Sequence, residues 1–327
     1  MLKQVVLMNP IYEKKVSEKR LWTLEVFKEF TLTAGEDLNF HGLESSGKEI
    51  KFELEDQPHS KAIRCLSLSP SGRYLASVSF DSQIKVWKVD GTKIVLISLL
   101  EGHLNEVKCA SWSADERYLA TCSRDKSIWI WEFDEEEDFR CESVLQDHDQ
   151  DIKFLNWHNQ ENFLISASFD NTVCIYEADF EDFALRKKLD HYSTVWCAKF
   201  KPESFIIATC TEDATLRIWS PYENRNSQNF FNSYRCISIL KMENTLPLYT
   251  LDWHFRGDFL AIAGQSNKII VYKTRENNLN FSLELLRTFN LAHSQDINCI
   301  KWNRSESSNK LFSCGDDGYL KCWEVEF

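Results

Sequence analysis

The residues that invite a chemical reading are a recurring set of His, hydroxyl, Asp and aromatic. His59, His103, His148 and His191 are followed 28 residues later by Trp87, Trp131, Tyr176 and Trp219. Asp81, Asp125, Asp170 and Asp213 stand six residues before those aromatics, and Ser77, Thr121, Ser166 and Thr209 four residues before each Asp. His293, Ser313, Asp317 and Trp323 repeat the set, with two extra residues around Ser305–Ser308. A Ser, a His and an Asp together can activate a hydroxyl for acyl transfer. A catalytic site occurs once, however, and this set occurs five times. The recurrence predicts a structural clamp instead, in which Asp and Ser/Thr fix the His and the His holds the aromatic of a later strand. No G-x-S-x-G elbow, Gly-rich phosphate loop or H-E-x-x-H is present. An enzyme is not expected.

The 11 cysteines pose the second chemical question, because a metal or cluster needs several that converge. Cys65, Cys109, Cys197 and Cys299 lie six residues after a repeat His, and Cys122, Cys210 and Cys314 three residues before a repeat Asp. At the second register the other units carry Val78, Ala167 and Ala263, so Cys alternates there with small apolar residues, as tight packing asks. Cys141, Cys174, Cys236 and Cys322 show no ligand spacing, and C-x-x-C is absent. Core thiols are expected, with no metal and no cofactor. An odd, scattered set of thiols fits a reducing compartment, cytosol or nucleus.

These side chains must be positioned by short strands. Alternations such as Ser127-Ile-Trp-Ile-Trp131 lie between the landmarks, and a period of ~40–45 residues with four strands per unit is that of a β-propeller blade. The composition agrees: 327 residues, 43% hydrophobic and 13% aromatic with 11 Trp, is a globular, β-rich chain. Lys plus Arg is 38 against 50 Asp plus Glu, a net charge of −12, which supplies no general field for nucleic acid. No run of ~18 apolar residues predicts a membrane span, and no signal peptide is expected. Acidic runs at Asp134–Asp138 and Glu177–Asp182, and the longer Pro221–Tyr234 insertion, fall between third and fourth strands on one face of the disk. They read as a solvated acidic rim.

Two registers point to the opposite face, around the channel mouth, where a rigid ring holds binding residues. Five residues after each His come Trp22 (by alignment of a weak first unit), Arg64, Lys108, Lys153, Trp196, Tyr249 and Asn298. One residue before each Asp come Phe80, Arg124, Phe169, Glu212, Gln265 and Asp316. Arg64, Lys108, Arg124 and Lys153 form an arc of four cations flanked by aromatics, with Glu212, Asp296 and Asp316 opposite. Trp, Phe and Arg together are typical of interaction hot spots. The partner-binding set is therefore Trp22, Arg64, Phe80, Lys108, Arg124, Lys153, Phe169, Trp196 and Tyr249, suited to an anionic, aromatic-bearing partner.

The repeats resemble WD-repeat propellers over nearly the whole chain, which implies an all-β, seven-bladed ring. The sixth unit, around 244–272, has Asn244, Ile262, Ser266 and Tyr272 at the landmark positions, so it must rely on packing alone. The first, near Trp22 to Phe52, has Gly35-Glu36-Asp37 as its turn. The expected blades are 10–55, 56–100, 101–146, 147–190, 191–241, 242–290 and 291–327 plus 1–9, with the N-terminal strand Leu2–Met8 completing the last blade. Closure is expected to remove open sheet edges.

Within that class, Glu101-Gly-His-Leu-Asn-Glu-Val-Lys108 and Tyr118-Leu-Ala-Thr-Cys-Ser-Arg-Asp-Lys-Ser-Ile-Trp-Ile-Trp-Glu132 resemble the WD-repeat protein family of cytosolic iron–sulfur assembly. Lys61–Arg64, Gln150–Lys153, Thr194–Trp196 and Ile297–Trp302 are further matches. The resemblance implies a scaffold of a targeting complex with a MIP18-type protein and a HEAT-repeat protein. It also implies contact with an iron-only-hydrogenase-like cluster carrier and with apoprotein clients, in cytoplasm and nucleus. Arg124 matches the functionally important arginine of that family's Ser-Arg-Asp-Lys motif. Two other classes are a substrate receptor of a cullin ubiquitin ligase and a chromatin or histone-tail binder. The first usually carries Trp-Asp-x-Arg, whereas Lys88, Glu132, Glu177, Ser220, Lys273 and Glu324 follow the aromatics here. The second suits the acidic half of the face.

Overall fold

The computed structural model describes residues 9–27, 30–54, 56–134, 136–178, 182–277, 280–305 and 308–326. Among them the strands assemble into seven antiparallel-based sheets, the blades of a closed propeller. The inner strands are Leu21–Val26, Ile63–Leu68, Val107–Trp112, Ile152–Trp157, Val195–Phe200, Leu248–Trp253 and Ile297–Trp302. Each is followed outward by three more in meander order, except where blades one, two and seven exchange strands. The only helical element among the described residues is one 3-10 turn, Phe231–Ser233, so no helix there is long and apolar enough to cross a membrane.

Second strands such as Tyr74–Ser79, Phe163–Ser168 and Phe259–Gly264 are buried at every residue. A blade packs on a neighbour with both faces, which is why these segments read as continuous rather than alternating apolar runs. Between blades two and three, Ala76 and Val86 meet Val107, Ala110, Trp112, Leu119 and Trp131 in one core. Burying an aliphatic or aromatic side chain of this kind contributes ~1.5–3 kcal/mol, and every blade boundary repeats the arrangement.

Ring closure differs from the sequence expectation in its residues. The strand completing the last blade is Tyr12–Lys15, paired from Tyr12↔Cys322 to Lys15↔Tyr319. Leu2–Met8, expected in that place, lies outside the described residues. Tyr12 packs against the core of blades one and seven while Glu13, Lys14 and Lys15 face water, as suits an outermost strand. Blade one accordingly begins at Leu21 and keeps an outer strand of two residues, Glu49–Ile50. The following Glu53–Leu54 pairs in parallel with Lys93–Leu100 and belongs to blade two. Closure also leaves each blade's outermost strand with a free edge. Those edges are guarded by charge, as Arg186, Lys187 and Lys188 in Phe183–Asp190 illustrate.

The feature that shapes the channel mouth is a β-bulge at the same place in all seven inner strands. In blade three, Val107 pairs with Ser123 and Cys109 with Cys122, so Lys108 has no opposite residue. The same shift isolates Trp22, Arg64, Lys153, Trp196, Tyr249 and Asn298. A bulge bends the strand and re-aims the extra side chain. Here it turns one residue per blade into the mouth.

Candidate functional site: the bulge ring and its clamps

Beneath the mouth, the repeated sets form hydrogen-bonded chains. In blade three, Trp131 Nε1 donates to Thr121 Oγ1 at 3.0 Å, Thr121 meets His103 Nε2 at 3.0 Å, and His103 Nδ1 meets Asp125 Oδ2 at 2.8 Å. Blade two repeats this through Trp87, Ser77, His59 and Asp81, and blade seven through Trp323, Ser313, His293 and Asp317. The hydroxyl, not the His, holds the aromatic, which corrects the sequence expectation. Donor geometry explains it: an indole N–H needs an acceptor, and a hydroxyl can accept from Trp while still serving the imidazole. Each Asp also closes its turn. Asp125 accepts from the backbone N–H of Leu104 and Ser127, at 2.9 Å each, around Lys126 at φ 72°.

In blade four His148 lies between Ser166 Oγ at 2.6 Å and Asp170 at 2.7 Å, and Tyr176 fills the Trp position, fully buried. Burial is the largest influence on His148 and opposes its charge, yet Asp170 and Cys174 together outweigh it and raise the pKa to about 9. For Asp81, Asp125 and Asp170 burial likewise works against ionisation, and the imidazole together with the backbone and hydroxyl donors holds each carboxyl well below the carboxylate range. Blade five departs from the expected clamp. His191 Nε2 meets Thr209 at 2.9 Å, but Nδ1 donates to the Leu189 carbonyl at 3.0 Å, and Asp213 accepts from Thr211 instead. Buried without a carboxylate on its ring, His191 falls to about 4. Ser77, Ser166 and Ser313 are wholly buried, so no substrate reaches these hydroxyls.

At the mouth, the two expected registers meet as alternating cations and rings. Arg64 stacks over Trp22 at 5.1 Å, and Trp22 faces Phe80 edge-on at 6.1 Å. Lys108 lies 4.2 Å from the centre of Phe80, and Lys153 lies over Phe169 and Trp196 at 5.1 and 5.3 Å. Trp196 continues to Tyr249 at 5.2 Å and donates its N–H to Glu212. Asn298 bridges Asp316 and the Leu21 carbonyl. Arg124 stands on this face, 57% exposed, its neighbour Asp125 turned to His103.

Two carboxylates that sequence reasoning passed over stand among the cations. Glu106 pairs with Lys108 and lies 3.7 Å from Arg124, while Asp151 lies 3.3 Å from Lys153 and 4.0 Å from Arg124. The arc is thus four cations around two anions. The signal was available: both acids sit three residues after the repeat His, as does Asp296 in blade seven counted from His293. Burial, with Arg64 and Lys153 close by, pulls the Lys108 ammonium below its ordinary pKa despite Glu106.

On the other face Asp134, Glu136, Asp138 and Asp182 are exposed, as a solvated rim requires, while one carboxylate of each run is tied down. Glu137 accepts from Tyr74 at 2.7 Å and Lys88 at 2.5 Å across a blade boundary. Glu177 holds Arg186 at 2.9 Å and Arg225 at 2.6 Å. Residues 135 and 179–181 of those runs lie outside the described set. Arg225, from the 221–234 insertion, stacks over Phe163 at 4.6 Å, and Phe230 and Tyr234 pack into the same core. The insertion is a plug against blade four. No cluster of three or more His, Cys, Asp or Glu suited to a metal occurs among the described residues.

This ring of blades with its His–hydroxyl–Trp chains is a WD-repeat propeller. The family described as "WD domain, G-beta repeat" matches residues 51–88, 94–132, 139–177, 184–220 and 283–324. The unmatched stretches hold the two units without the clamp. A "Probable cytosolic iron-sulfur protein assembly protein CIAO1 homolog" from Schistosoma japonicum is 38% identical over 97% of this chain and 98% of its own length. A "Probable cytosolic iron-sulfur protein assembly protein 1" from Vanderwaltozyma polyspora is 32% identical over 97% and 99%. A CIAO1 homolog from Caenorhabditis elegans is 35% identical over 85% and 83%. The chain belongs to this family of cytosolic iron-sulfur protein assembly proteins.

Proposed function

We propose that the chain is a non-catalytic scaffold of cytosolic iron–sulfur protein assembly, acting in a targeting complex that brings clusters to cytosolic and nuclear apoproteins. The observation that carries this reading is the bulge ring, a rigid rim of alternating cations and aromatic faces on an otherwise acidic protein. Family membership supports the assembly role and a cytosolic setting. The partners we assign are a MIP18-type protein, a HEAT-repeat protein, an iron-only-hydrogenase-like cluster carrier and apoprotein clients. Arg124 is the contact for a carboxylate-bearing segment. A guanidinium grips a carboxylate bidentately, and Phe80 and Phe169 stand ready for an aromatic side chain of the same segment.

Affinity purification with mass spectrometry, run on the wild type and Arg124→Glu, tests the reading. The wild type is expected to retain iron–sulfur assembly factors, and the variant to lose capture of at least one by about tenfold or more, as broken charge pairs in interfaces cost ~2–5 kcal/mol. Retrieval of cullin adaptors or histones in their place overturns it. Normal capture by a folded variant moves the site elsewhere on the ring.

A further inference from the structure

Just below the bulge ring, the next residue along six of the inner strands lines the channel: Thr23, Cys65, Cys109, Phe154, Thr250 and Cys299. Cys65 and Cys109 occupy this level in blades two and three, Cys299 in blade seven, and all three line a central cavity of about 110 Å³. The expectation that the cysteines are uniformly core thiols does not hold here, since Cys65 and Cys299 are only half-buried and face the channel. Blades two and three are neighbours, and the sulfurs of Cys65 and Cys109 face each other at 3.8 Å.

We propose that Cys65 and Cys109 form a two-coordinate site for a soft monovalent d10 cation, Cu(I) or its heavier homologue Ag(I). Zinc and iron–sulfur clusters need three or four convergent ligands, and no such group exists among the described residues. A two-coordinate soft ion needs only a facing pair of thiolates. With metal–sulfur bonds of ~2.3 Å, as for zinc thiolates, the sulfurs would stand at most ~4.6 Å apart. The present gap opens by less than ~1 Å to reach linearity, a displacement two adjacent blades can share. Binding converts two thiols and one cation into a bis-thiolate complex of charge −1, with two protons released and no change of oxidation state.

Cations outnumber carboxylates around the pair: Arg64, Lys108 and Lys153 stand at the mouth and Lys199 and Lys301 line the channel below, against Glu106, which pairs with Lys108, and the buried Glu25, which pairs with Lys301.

The test is anaerobic titration of the reduced full chain with Cu(I) against bathocuproine disulfonate as competitor. Cys65→Ser, Cys109→Ser and Cys141→Ser are run in parallel, the last removing an exposed cysteine on an outer strand. One tight equivalent is expected for the wild type, with a sulfur-to-metal charge-transfer band and proton release. Cys65→Ser should weaken it by a hundredfold or more and Cys141→Ser should leave it unchanged. If Cys109→Ser unfolds, Cys65→Ser and Cys65→Ala decide the question, because Cys65 faces the channel. Affinity that survives both Cys65 variants, or falls equally in Cys141→Ser, marks adventitious thiol binding and overturns the site.

Discussion

Blade three and blade six are built on the same ladder, yet only one carries the polar chain. In blade three, Trp131, Thr121, His103 and Asp125 are linked end to end. In blade six, Ile262 replaces the hydroxyl and Tyr272 the Trp, and the phenol reaches only the Met242 sulfur at 3.8 Å. Blade six still pairs all four of its strands, and Leu260, Ile262, Ile269 and Val271 are wholly buried. Packing therefore makes a blade. The clamp adds a fixed turn at its upper end, with Asp tying the loop and His tying the Asp to the core.

The largest effect should come from removing the aromatic in either blade. Trp131→Ala and Tyr272→Ala should each cost about 3–5 kcal/mol in chemical denaturation, because both leave large cavities. A near-neutral Tyr272→Ala would show that blade six is not part of the cooperative unit. Next comes the clamp itself. Asp125→Ala should cost ~1–3 kcal/mol by stranding a buried His, whereas Asp213→Ala should cost less than half as much, since Asp213 does not touch His191. Equal losses would dissolve the distinction between complete and broken clamps.

A smaller, pH-dependent contrast separates blades four and five. His148 sits at about 9 in the fold, above the ~6.5 of an unfolded chain, so its contribution is full below 6.5 and is lost as pH rises toward 9. His191 sits at about 4, so its contribution is full above 6.5 and is lost as pH falls toward 4. His191→Asn should flatten the stability slope between pH 6.5 and 4.5, and His148→Asn the slope between 6.5 and 9. His158, His254 and His293, whose pKa values burial lowers, add to the acid slope, and the depressed Asp81, Asp125 and Asp170 carboxyls extend it as pH falls below the ordinary carboxylate range. The smallest effect belongs to Arg124→Glu, which should move stability by no more than ~0.5 kcal/mol while altering partner capture. Calorimetric unfolding of that variant checks it.

Much of this was legible in the sequence because the His, hydroxyl, Asp and Trp must recur at fixed spacing to meet in space. The same spacing exposed the mouth residues. What escaped was the pairing of one mouth residue with another. Arg124 meets Glu106 within blade three and Asp151 across the boundary to blade four. Asp213 looked like a clamp residue by spacing, but the alternative acceptor of His191, a backbone carbonyl, has no sequence signature. The expected closing strand is Leu2–Met8, whereas Tyr12–Lys15 takes that place, since an outer strand needs only one apolar anchor and otherwise charged residues.

The bulges have a consequence for how such a protein can change. A bulged residue stands outside the pairing ladder, so its identity is not fixed by a cross-strand partner. Read around the disk, the seven positions spell Trp, Arg, Lys, Lys, Trp, Tyr, Asn, a word whose letters can be rewritten one at a time while the scaffold that displays them stays as it is. Shape and recognition are carried by different residues: the repeat sets the first, and seven positions that touch one another but not the ladder carry the second.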